Sequence, residues 1–134
     1  MGLSGVWELQ KTLFDILDGD GTLSGMVSGV YDHVVENTEF PYVSIGECEA
    51  SDWSSVTTSG LSAAVAIHVW SRGGGRKESL DILARVYELL HETTPSVAGY
   101  AVVMFRFASS DVLLEVDGVT YHGMINFKVL LEAN

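Results

Sequence analysis

Residues 69–79 read VWSRGGGRKES, an apolar strand-like run followed by three glycines, two cations and the start of a patterned helix. Many proteins hold phosphate with this arrangement, because the free N–H groups and positive dipole end of a helix attract an anion. Arg72, Arg76 and Lys77 are the cations such a site would use. The spacing speaks against a nucleotide. A phosphate loop requires Gly, four residues and then Gly-Lys-Ser/Thr, but Glu78 follows Lys77 and places a carboxylate where the anion belongs. The dinucleotide fingerprint G-x-G-x-x-G is absent from Gly73-Gly74-Gly75. The stretch is expected to turn the chain from sheet to helix. A small phosphate- or nucleotide-binding enzyme using the 72–79 loop is the alternative.

Other chemistry-bearing residues lack partners at useful spacing. LDGDGTLS offers Asp18 and Asp20 around Gly21. As a calcium loop it would have Ile16 and Val27 at its two end ligand positions, so a capped turn is expected instead. His33, His68, His91 and His122 are far apart, with no Cys or carboxylate at zinc-ligand spacing. The lone Cys48 sits between Glu47 and Glu49, which raise a thiol's pKa and suppress the thiolate. No Ser lies in a G-x-S-x-G elbow. The expectation is no catalytic residue, no metal site, no cofactor and no enzyme.

Seven basic residues against eighteen acidic ones give a net charge of −11. Tight nucleic-acid binding needs a basic surface to neutralise phosphates, so DNA is expected at most to slide past. No apolar run is long enough for a bilayer span, and no membrane partner is expected. At 134 residues the chain is expected to form one domain, 1–134.

Stepping along the chain, GVWELQKTLFDILD has its apolar residues on one helical side, with Ser4 as the expected N-cap and Gly19 as a left-handed C-cap. GVYDHV is a short strand candidate. FPYVSIGECEA predicts a half-buried strand after Pro41, with Tyr42, Ser44, Gly46 and Cys48 on one face. ASDWSSVTTSG reads as a long polar loop, and LSAAVAIHVWS as the returning strand with Val65, Ile67 and Val69 on one face. RKESLDILARVYELLHETT predicts a helix stopped by the Thr pair and Pro95. YAVVMFRFAS and VTYHGMINFKVLLEA predict two closing strands joined across SDVLLEVDG. This order gives an α+β class: one mainly antiparallel sheet with two helices packed on it.

The second helix carries two apolar stripes, Leu80, Leu83, Tyr87 and Leu90, and Ile82, Val86 and Leu89. One stripe suffices to bury a helix on a sheet. The other predicts a further partner, either the first helix or a neighbouring subunit. Trp53 in its polar loop is a second anchor of the kind found at interfaces. The candidate subunit-interface residues are therefore Trp53, Arg72, Arg76, Lys77, Ile82, Val86 and Leu89, the cations serving as salt-bridge donors to an acidic neighbour.

PYVSIGECEASDWSSVTTSG, then HVWSRGGGRKES, then DGVTYHGMINFKV together resemble the tail completion, or tail terminator, proteins of tailed phages, prophages and gene transfer agents. The resemblance spans most of the chain and rests on the order and spacing of these strings. It implies an α+β structural virion protein at the tail–head junction, assembled in the host cytoplasm and needing no cofactor. It further implies a homo-oligomeric ring, a hexamer, that caps the tail tube protein and meets a head-side connector, with DNA passing through the lumen. Another neck or tube component of related build is the second reading.

Overall fold

A computed structural model describes residues 3–134. The chain folds as α1 (Ser4–Gly19), α2 (Gly21–Ser24), β1 (Val30–Tyr31), β2 (Tyr42–Asp52), β3 (Gly60–Ser71), α3 (Lys77–Leu90), β4 (Tyr100–Leu114) and β5 (Tyr121–Ala133). The strands form one five-stranded sheet in the order β1-β2-β3-β5-β4, antiparallel throughout except for the short β1–β2 pair. The class is α+β, as expected.

Alternation places the core. Ala63, Val65, Ile67 and Val69 of β3, and Ile125, Phe127, Val129 and Leu131 of β5, are all buried on the helix-bearing face. α1 meets this layer with Gly5, Leu9, Leu13 and Leu17, one residue per turn along a single line. A Cβ on Gly5 would stand 2.9 Å from Leu61 and 3.1 Å from Tyr100, so the first turn lies against the sheet because that residue has no side chain. α3 crosses β5 at Gly123, where a Cβ would stand 3.0 Å from Leu83. Each buried leucine removes apolar surface worth about 1.5–3 kcal/mol.

Several local expectations are corrected. Ser4 is the first helical residue rather than a cap; Leu3 precedes it with no side-chain cap, and Ser4 Oγ is 2.8 Å from Tyr100 Oη. Gly19 is still helical, and Asp20 ends α1 in an extended conformation. Asp20 then caps α2, accepting from Leu23 N–H at 2.8 Å, so the expected capped turn is present with a third, one-turn helix inside it. α3 stops at Leu90, before the Thr pair, where Glu92 adopts φ +55° and its N–H bonds to Phe105 O at 2.7 Å.

Two strand expectations also change. A bulge between Ile45 and Cys48 shifts the β2 register, so Cys48 and Ala50 turn to the core side with Val43 and Ile45. Simple alternation had put Cys48 on the opposite face. β4 is longer than its sequence suggested: SDVLL, expected to be connection, continues it to Leu114.

Candidate functional site

The glycine loop is filled by its own chain. Glu78, in the first turn of α3, folds back so that Ser71 Oγ donates to its Oε1 at 2.5 Å, and Gly73 N–H donates to Ser71 Oγ at 3.3 Å. A Cβ on Gly73 would stand 2.9 Å from that same carboxylate oxygen, so the glycine admits it. A carboxylate at a helix N-terminus satisfies the dipole that a phosphate would otherwise satisfy. The phosphate-binding alternative is thereby corrected: the loop already holds an anion.

The cations have partners within the chain. Arg72 Nε donates to Thr120 Oγ1 at 2.9 Å, and its guanidinium lies 4.1 Å from the centre of the Phe40 ring. Asp117 faces it at 3.8 Å, with a pKa held down to about 2 by the Thr120 hydroxyl and by the Thr120 and Val119 N–H groups. Lys77 reaches Asp81 at 2.9 Å, and Arg76 lies over the Tyr121 ring at 5.4 Å.

The structure does not gather the sequence-predicted interface residues into one patch. Trp53, half-exposed, follows β2 at one end of the sheet, and Arg72 follows β3 at the other. The 12-residue β3 separates them by about 40 Å. Ile82 and Val86 are 1% and 0% exposed, packed into the chain's own core. That assignment is corrected: Ile82 and Val86 pack on the sheet together with Leu83 and Leu90 of the first stripe. Leu89 is half-buried beside α1, where with Thr12, Asp15 and Ile16 it lines a hollow of about 450 Å³. Left outside are Leu80 and Tyr87 of the first stripe, 52% and 39% exposed. Their amphipathic spacing was legible in the sequence; the close approach of Leu83 to Gly123 was not.

A second feature, which the sequence reading set aside as lone strand histidines, lies on the helix-free face of the sheet. Tyr42, Trp70 and His122 sit side by side in the paired strands, and His68 lies diagonally beside His122. The Trp70 and His122 rings stack at 3.8 Å, and Trp70 and Tyr42 at 6.3 Å. A hydrogen-bonded row runs across this stack. Glu47 Oε1 is 2.9 Å from His68 Nε2, His68 Nδ1 is 2.6 Å from His122 Nε2, and His122 Nδ1 is 3.1 Å from Glu115 Oε1. Three bonds in a row require three protons, one more than two neutral imidazoles carry. Burial, and secondly the nearby His68, hold the His122 pKa below the ordinary histidine value, while the bond from His68 lowers that of Glu47. The four residues are spread over β2, β3, β5 and the β4–β5 turn, so no local motif announces them.

Among the described residues, no group of three or more His, Cys, Asp or Glu is placed to hold a metal ion. No helix among them is long and apolar enough to cross a membrane. A sheet with one helix-covered face and one face of stacked rings, with apolar side chains exposed at several edges, defines a scaffold built for contacts with other chains.

The comparisons place that scaffold. Residues 11–132 match the family described as Tail completion protein gp17, and the chain belongs to that family. It is 29% identical over 126 residues to Tail completion protein gp17 of Bacillus phage SPP1, covering 94% of this chain and 93% of the relative. The solved structure of bacteriophage SPP1 gp17 protein is 28% identical, with a TM-score of 0.64 over 99% of this chain and 93% of that one. A chain in the virion of a native gene transfer agent particle has a TM-score of 0.90 at 21% identity, over 98% of this chain and all of that one. The protein is a structural tail component of a virion, not an enzyme.

Proposed function

We propose that the protein is a tail terminator: a closed ring, of six copies, that caps the last ring of a tail tube and offers its other side to the head-side connector, with DNA passing through the lumen. A cyclic ring needs two different contact patches on each subunit. The observation that carries the reading is the exposure of apolar side chains on separate sides of one small chain: Leu80 and Leu114 on one, Trp7 and Trp53 on another. Trp53, Arg76 and Lys77 are proposed contact residues in this assembly. A net charge of −11 repels phosphate and keeps passing DNA mobile.

Negative-stain imaging of the purified protein, alone and with its tail tube partner, tests the proposal. Single rings, or tubes closed at one end by such rings, are the expected result. A species that stays monomeric with the tube protein present and leaves tubes uncapped overturns it. Long tubes of the protein itself would favour the reading as a tube component.

A further inference from the structure

The sheet has two open flanks. On one, β4 bonds only to β5 from Ser109 to Leu114; just before this, the outward groups of Phe105 and Phe107 are taken by Glu92 N–H and His91 Nδ1. On the other, β1 covers only Val43 and Ser44, so Cys48–Asp52 of β2 bond to β3 alone. Soluble proteins guard such edges with Pro, charged side chains or very short strands; neither SSDVLL nor CEASD contains a Pro or Lys, and their charges are Asp111, Glu49 and Asp52. The free stretches are of nearly equal length.

Both are flanked by exposed or half-buried apolar side chains. Beside the β4 flank stand the exposed side chains of Leu80, Tyr87 and Leu114, with Arg76 near the same end over Tyr121. Among the described residues Arg76 has no carboxylate within salt-bridge distance. Beside the β2 flank, a hollow of about 250 Å³ between α1 and the sheet is lined by Trp7, Phe14 and Ile45. The β2 stretch itself carries Glu49 and Asp52, and the β4 stretch Asp111.

We propose that these flanks are the two halves of one subunit junction, in which Ser109–Leu114 of one copy pairs with Cys48–Asp52 of the next. This inference rests on the ring reading and names its contact. β2 and β4 run in opposite directions within the sheet, so two copies related by rotation meet antiparallel. The free stretch of β4 lies level with residues 66–71 of β3, and that of β2 with residues 61–65. Bringing them together staggers neighbouring copies by about five residues over the four strands β2, β3, β5 and β4, a little over one residue per strand, the kind of stagger that tilts the strands of a closed barrel by about 35–45°. A partner of another sequence would have no reason to carry that stagger; a second copy of this sheet does. The helices then lie on the outer circumference, and the Trp70–His122 face turns inward.

Disulfide mapping tests the junction. Ser110, Val112 and Leu114 share the helix-bearing face with Cys48, but within one chain three strand spacings alone keep them at least about 14 Å from it, beyond disulfide reach. Ser110→Cys, Val112→Cys and Leu114→Cys, each mixed with tail tube protein and oxidised, are therefore expected to give a ladder of covalent multimers in at least one case. Adding Cys48→Ser abolishes the ladder. Leu80→Glu, at an exposed position, is expected to leave the melting temperature unchanged and to lower the ring population at least tenfold. Wild-type rings with no ladder from any of the three cysteines, or undiminished rings in Leu80→Glu, overturn the junction while leaving the ring reading intact. Absence of rings in the wild type overturns the ring reading and the junction with it.

Discussion

The glycine loop after β3 and the outer edge of β4 have exchanged the roles their sequences suggest. SRGGGRKES has the composition of a binding site, yet Glu78, Ser71, Gly73, Arg72 and Thr120 satisfy one another across it. SDVLL has the look of a connection, yet it is strand with one whole side of its backbone unpaired. A site is marked by groups without partners, and polarity alone does not reveal which groups those are. Buried or clustered polar atoms nearly always find partners inside their own chain; an uncovered strand edge finds its partner in another.

Four outcomes would break or sharpen this contrast. The largest concerns the close packing of α3 on β5. Gly123→Leu forces a side chain into Leu83 and Val69 and is expected to cost about 3 kcal/mol by overpacking, read from chemical denaturation. Next, Glu78→Ala removes the acceptor of the buried Ser71 hydroxyl and is expected to cost about 2 kcal/mol. If the variant is as stable as wild type, the loop is not held by its own carboxylate.

A smaller effect is expected from pH. The His122 pKa lies below its unfolded value, chiefly through burial and then through His68. A base with a depressed pKa contributes stability above its unfolded pKa and loses it as pH falls through the folded one. The lowered Glu47 carboxyl acts in the same direction at more acidic pH. Stability is therefore expected to fall from pH 7 to pH 5, and the slope to flatten in His122→Leu, measured by urea denaturation at each pH. The smallest effect belongs to the exposed turn after β4. Val116→Ser, at a fully exposed position, is expected to leave stability within about 0.5 kcal/mol of wild type. A larger loss would mean that the turn packs within the chain.

Much of the fold was legible. The 3.6-residue spacing of Leu9, Leu13 and Leu17, and the alternation of Val65, Ile67 and Val69, were enough to place α1 and β3 and the faces they bury. The resemblance of the whole chain to tail completion proteins was carried by ordered strings, and the family match agrees with it. The site was less legible. Trp53 and the cations were found as candidates, but the His68–His122 pair, 54 residues apart, and the Arg85–Asp20 ion pair, 65 apart, could not be read from spacing.

The sequence by itself determined the periodic elements, their order, the acidic surface and the absence of a nucleotide-loop spacing, because each depends only on residues near one another in the chain or on a sum over it. Only the tertiary structure decided that Ile82 and Val86 turn inward while Leu80 and Tyr87 stay outside, that the Ile45–Cys48 bulge reverses the face of Cys48, and that β4 ends with an open edge. Those outcomes depend on which surfaces meet across the sheet. α3 buries members of both apolar stripes, Ile82 and Val86 with Leu83 and Leu90, and the missing side chain at Gly123, 40 residues beyond Leu83, lets Leu83 approach the sheet.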